Sequence, residues 1–365
     1  MLVLAHLSHW NIRAEMWFGL TTLLVAVGAL FLEHCRRFGL RWRAIFLFIP
    51  VAWLLFSLRQ SQNLLWGWQL QVFMAATAGV LALLSLDRVG RWRLPAGIAW
   101  AVVSTFSFAA GFAVWPAGVV PLFTRLRGRA RLWAILQWSI AALLVVAVYF
   151  HGYWKPGAHP SPAYVVGHPA PALRFLLIML GAGLAQPADA ATARVAGILL
   201  LLALASALLL LARGKGRRNE AVLGLGLVTF ALTASVLTTV GRAGFGDRAE
   251  QETFALMSRY TTFTALGVYG VYRCSLALRG RIRWLLAGGL GGLMLLGSLA
   301  VVQPELVHGR DLRNAHRGLQ EIVLRHRTAS DQELGRLYID TELVRSSAAF
   351  LEQEKLTVFS EPHPR

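Results

Sequence analysis

Residues 195–212 read VAGILLLLALASALLLLA, a run without a single charge. A helix rises about 1.5 Å per residue, so roughly 20 apolar residues cross the ~30 Å hydrocarbon core of a bilayer. MWFGLTTLLVAVGALFL (16–32) and WLLAGGLGGLMLLGSLAVV (284–302) are runs of the same kind. Only 15% of the chain is charged, against roughly 25% in ordinary soluble domains. The segments of about ten alternating residues that mark a membrane β-barrel do not appear. The expected fold class is all-α, a polytopic transmembrane helical bundle.

A formal net charge of +18 would suit a nucleic-acid binder, but its distribution argues otherwise. Residues 1–302 hold 27 Lys/Arg against 8 Asp/Glu, whereas residues 303–365 hold 9 against 10. Nineteen of the 27 fall in five clusters between apolar runs: 36–43, 88–93, 125–131, 213–218 and 273–283. Short basic loops of this kind mark the cytoplasmic side of a membrane protein. The charge thus encodes topology, with contact to anionic lipid as a secondary effect. Membrane lipids are the expected partners, and nucleic acid is not. Cys35 and Cys274 sit beside basic clusters, on the reducing side, and are expected as free thiols. MLVLAHLSHWNIRAE has its polar break too early for a cleavable signal peptide.

Placing every basic cluster on one side threads the chain. Spans are expected near 15–34, 42–58, 64–86, 131–150, 191–212, 221–240, 260–278 and 283–302. Two stretches break the parity. Residues 94–124 are too short for two full spans and read as a hairpin of two short helices. Residues 172–185 read as a re-entrant or interfacial helix. The expectation is about eight full spans plus these two half-inserted segments, with ten spans as the alternative. Residues 1–302 form the membrane domain, and 303–365 form a helical tail on the outer side. In the tail, Leu306, Leu312, Leu319 and Val323 recur at helical spacing, and Ser330 with Glu333 has capping-box spacing.

Polar residues gather on the side opposite the basic loops. RQSQNLLWGWQLQ (59–71) contributes Arg59, Gln60, Gln62, Asn63, Trp66, Gln69 and Gln71. The middle loop adds His151, Tyr153, Lys155 and His159. The loop 241–259 adds Arg242, Asp247, Arg248, Glu250 and Glu252, and Arg259 and Tyr260 follow. Read as one helix, 59–71 sets Gln62, Trp66 and Gln69 on a single face, suited to a cleft wall or to helix packing. The structural reading is an interfacial aromatic belt, amides bonded to neighbouring helices, and arginines reaching lipid phosphates. The functional reading joins Arg59, Gln62, Asn63, Trp66, Gln69, Arg242, Arg259 and Tyr260 in one substrate-binding cavity. Arginines there would fork onto phosphate, while indole faces and amides hold a sugar. An acid among Asp247, Glu250 and Glu252 could take a proton from an acceptor hydroxyl. His6, His9, His308, His316 and His326 lack metal-ligand spacing, and neither metal nor cofactor is expected. Glycines at 224–226 and 288–292 read as helix-packing contacts. GRAGFG (241–246) follows no strand, so it is not a dinucleotide loop.

QSQNLLWGWQLQVF (60–73), SFAAGFAVWPAGVV (107–120), GRAGFGDRAEQETFALMSRYTTF (241–263) and LYIDTELVRSSAAFLEQEKLTVF (337–359) resemble stretches of a group of uncharacterised bacterial multi-pass proteins. That group is similar to the C-type (GT-C) integral membrane glycosyltransferases. The resemblance implies the bacterial cytoplasmic membrane, a polyprenyl-phosphate-linked sugar donor, an outward site and a role in cell-envelope glycan assembly. A non-catalytic or polymerase/ligase-like component of surface-polysaccharide assembly is the alternative. The resemblance also implies a catalytic acid in the first external loop. Here the early acid is Glu15, at the start of a span, so the expectation is either further chain before Met1 or a protein without transferase chemistry. No catalytic residue is carried over.

Overall fold

The computed structural model describes residues 2–154 and 160–360. Their helices are α1 (Leu2–Leu7), α2 (Ile12–Phe38), α3 (Trp42–Leu55), α4 (Ser61–Leu65), α5 (Leu70–Asp87), α6 (Arg93–Ser107), α7 (Val114–Arg125), α8 (Gly128–Phe150) and α9 (Tyr164–Gly167). They continue as α10 (Pro169–Gly181), α11 (Ala190–Ala212), α12 (Arg218–Arg242), α13 (Arg248–Ala255), α14 (Thr261–Leu276), α15 (Gly280–Ala300), α16 (Val302–Leu324), α17 (Asp331–Gly335) and α18 (Thr341–Gln353). Among the described residues the only β pairing is an isolated bridge, Gly216 with Leu278. The fold is an all-α polytopic helical bundle.

Among the described residues, seven helical stretches are long and apolar enough to cross a membrane: 12–38, 42–65, 67–87, 128–150, 190–212, 218–242 and 280–324. The eighth expected span is the 16-residue α14, and every one of its residues is buried. That burial explains why its apolar pattern is weak. A helix surrounded by protein need not be apolar throughout, so α14 carries Thr261, Thr262, Thr264, Tyr269, Tyr272 and Arg273. It packs closely on α12 because both lack side chains where they meet. A Cβ on Gly270 would lie 2.7 Å from the Gly224 carbonyl oxygen. Gly288, Gly289 and Gly292 differ from expectation: nothing lies within 4 Å of a Cβ there, so they face open space.

Residues 93–125 form the expected pair of short helices, α6 and α7. At about 1.5 Å per residue, 15-residue α6 reaches only about 22 Å. The chain reverses at Phe108, which is extended (φ −158, ψ 142). Ser104 Oγ donates to Ala75 O (2.8 Å) and Trp115 Nε1 to Thr105 Oγ1 (3.0 Å), so polar groups near the turn are satisfied inside the protein. The short 172–185 segment is α10 and the turn after it.

The basic clusters do share one face. Asp87, at the end of α5, binds Arg37 of α2 (2.5 Å) and Arg125 of α7 (2.8 Å). Both arginines also donate to Asn219 O in α12. Backbone bonds Arg217 N→Ala277 O (2.9 Å) and Arg279 N→Lys215 O (3.0 Å) join the two remaining clusters. At the rim of the bundle, α8 is buried over only 17% of its most apolar window, against 78% for α5. Cys35 and Cys274 are free, and Cys274 is buried. Beyond α15 only Val301 precedes α16, so the two helices run on as a near-continuous rod. Its small core is Ile322, Ala329 and Leu334, Ser330 and Glu333 form the expected capping box, and Thr357 N reaches back to His9 O.

Candidate functional site

Opposite the basic face, the chain between α3 and α5 is not one helix. Trp66 is extended (φ −116, ψ 105) and separates α4 from a 3-10 turn at 67–69. The cause is Gly67, which passes over Glu15 of α2 so closely that a Cβ would lie 2.6 Å from Glu15 Oε2. Gln62, Trp66 and Gln69 therefore do not share a helical face, which corrects the continuous-helix reading. Trp66 is half-exposed, whereas Gln69 is buried. Glu15 is itself buried, and its Oε1 has no partner among the described residues.

The amides of this segment fasten it to the start of α14. Gln60 Nε2 donates to Leu55 O (2.6 Å), the last turn of α3, and Gln60 Oε1 accepts from Thr262 Oγ1. Asn63 Nδ2 donates to Thr262 Oγ1 (2.9 Å) and Arg259 O (3.1 Å). Gln62 N donates to Ser258 Oγ (3.1 Å). Arg59, 3% exposed, is the central clamp, and each guanidinium nitrogen has an acceptor. Nε donates to Ala182 O (3.1 Å), Nη2 to Leu256 O, and Nη1 meets Glu305 Oε1 (3.4 Å). One side chain thereby joins the end of α3, the turn after α10, the end of α13 and the first turn of α16.

Beside this clamp lies a cleft of about 490 Å³. Arg59, Gln62, Ser258, Glu252, Glu305 and His308 line it, with Pro187 and Ala188 on the far wall. Two buried acceptors among these residues, Glu305 Oε2 and Gln62 Oε1, have no hydrogen-bond partner among the described residues. A carboxylate and an amide oxygen so placed complement ligand O–H or N–H groups.

Of the residues expected in one cavity, Arg59 and Gln62 line the cleft, and Asn63 stands behind it in the tie to α14. The others lie elsewhere. Tyr260 is buried in a separate cluster with Phe175 and Met179. The Arg259 guanidinium lies 5.4 Å from the Tyr260 ring and beside Met257 Sδ. Arg242 lies 5.4 Å from the Phe245 ring. The candidate acids are occupied as well. Asp247 and Glu250 form the capping box that starts α13, and Glu252 pairs with Arg248 (3.1 Å) and Arg174 (3.6 Å). His151 and Tyr153 are exposed, while Lys155 and His159 lie outside the described residues.

Glu305 and Arg174 are the residues that sequence reasoning missed. Glu305 lies between Pro304 and Leu306, soon after an apolar span, and an acid so placed in a chain with few acids was the available signal. The chain matches no protein-family model, no curated protein and no solved structure.

Proposed function

We propose that the chain is a glycosyltransferase-like protein of the bacterial cytoplasmic membrane, handling a polyprenyl-phosphate-linked sugar at the outer face for cell-envelope glycan assembly. The observation that carries this reading is a pair of buried acceptors without a partner among the described residues, Glu305 Oε2 and Gln62 Oε1, on two residues that line the cleft. Sugar hydroxyls are donors of the matching kind, and a carboxylate that accepts a hydroxyl's hydrogen bond can take its proton as general base. Glu305 fills the role first expected of Asp247, Glu250 or Glu252.

Arg59 plays a positioning part in this cleft. Its nitrogens are bound to protein acceptors, so it holds Glu305 in place and does not fork onto phosphate. That saturation favours a second reading, a non-catalytic component of surface-polysaccharide assembly that binds glycan without transferring it. Purified protein in liposomes, supplied with a labelled polyprenyl-phosphate sugar, separates the two. Transfer that Glu305→Gln abolishes supports catalysis. Glycan binding without transfer supports the second reading, and absence of both across several donors refutes the proposal.

A further inference from the structure

We infer that the basic face carries a specific site for an anionic phospholipid, in the groove between α7, α8, α11 and α12. The groove encloses about 500 Å³, within the size range of small-molecule sites. Phe123, Leu208, Leu211 and Leu225 make its walls apolar, Arg127, Arg131 and Arg218 bring three cations, and no carboxylate lines it. That is the shape of a lipid, with a charged head at one end and hydrocarbon at the other. Basic pockets between membrane helices recognise such head groups.

The arginines here are not equivalent. Arg218 donates to Leu211 O (3.1 Å) and Ala212 O (2.7 Å), closing the end of α11. Neighbouring Arg125 is taken up by Asp87 and Asn219 O. Among the described residues, no hydrogen bond or ion pair engages the Arg127 or Arg131 guanidinium. Arg131 is instead held 4.6 Å from the Phe123 ring centroid. The nearby acids are committed: Asp87 to two arginines, and Glu220 to Arg217 at 2.7 Å. The cations left for a phosphate are therefore Arg127 and Arg131. The groove also opens at the rim of the bundle, where α8 and α11 are buried over only 17% and 33% of their most apolar windows. A lipid can enter there sideways from the leaflet.

Native mass spectrometry of the full chain in detergent, with phosphatidylglycerol and phosphatidylcholine in competition, tests this. Wild type is expected to retain phosphatidylglycerol in preference. Arg127→Gln with Arg131→Gln should weaken that retention about 30-fold, taking each arginine at its usual worth near an anionic lipid. Arg279→Gln with Arg281→Gln, in another basic cluster, should leave it unchanged. Equal retention of both lipids, an unaffected first double variant, or complete displacement by inorganic phosphate would each overturn the site. If that variant fails to fold, a photoreactive phosphatidylglycerol on wild type decides. Labelling within 123–131 and 208–225 supports the inference, and labelling confined elsewhere refutes it.

Discussion

Arg59→Met tests the clamp that shapes the cleft. In wild type the guanidinium is 3% exposed and Glu305 is 5% exposed, so both charges have left solvent together. Methionine fills much of the stem volume but removes the cation and two carbonyl partners, Ala182 O and Leu256 O. Removing one member of a buried ion pair costs about 3–5 kcal/mol, most of it from the stranded charge. Glu305→Gln keeps shape and an amide oxygen for Arg59, which also retains its two carbonyls, so about 1–2 kcal/mol is expected. In the double variant no charge is stranded. Its cost should fall short of the sum of the single costs by about 2 kcal/mol, a coupling of the size contacting residues show. Graded denaturation in mixed micelles, followed by tryptophan fluorescence, measures all three. Single costs that add to within about 0.5 kcal/mol would refute the clamp, as would an Arg59→Met cost no larger than that of Arg242→Met, whose side chain has the Phe245 ring as its one polar or ring contact among the described residues.

Three further predictions concern packing, the basic face and the tail. Gly270→Ala should lower stability by about 1–3 kcal/mol through overpacking, because its Cβ meets Gly224 O at 2.7 Å and Val228 Cγ2 at 2.8 Å. Gly289→Ala, with open space around it, should be neutral or stabilising by about 0.4–1 kcal/mol; equal melting shifts for the two would refute the packing account. Asp87→Asn leaves Arg37 and Arg125 without their shared carboxylate and should cost about 3 kcal/mol, read as a lowered melting temperature that Glu220→Gln, on an exposed pair, does not reproduce. In the tail, the Ser330 N–H and hydroxyl bonds hold the Glu333 carboxyl below its ordinary value of 4.5. A depressed pKa stabilises at neutral pH and is lost as pH falls below 4.5 towards the folded value. Amide exchange of residues 333–337 should accelerate in that acid window, and Glu333→Gln should flatten the pH response.

The spans were legible because lipid makes a one-dimensional demand: every run such as 195–212 must be apolar whatever it packs against. α14 was read as a span at 260–278 like the others, but its threonines and Arg273 answer to neighbours that sequence order does not reveal. The break at Trp66 was hidden for the same reason. It depends on Gly67 crossing Glu15, a contact between segments far apart in the chain. That the amides of 59–71 needed partners could be read directly. Which partners could not, since Thr262 lies 199 residues from Asn63.

The same geometry decides what the segment can do. A guanidinium whose nitrogens are bound to Ala182, Leu256 and Glu305 is no open phosphate fork. Asn63, with both amide hydrogens engaged by Arg259 O and Thr262 Oγ1, has no donor left for a sugar. What these bonds leave without a partner among the described residues are two buried acceptors, Gln62 Oε1 and Glu305 Oε2. Of the residues that drew attention in the sequence, Arg59 and Gln62 line the cleft and Asn63 braces it from behind. Under the proposed function the general base is Glu305, an acid in the first turn of α16 that Arg59 holds in place.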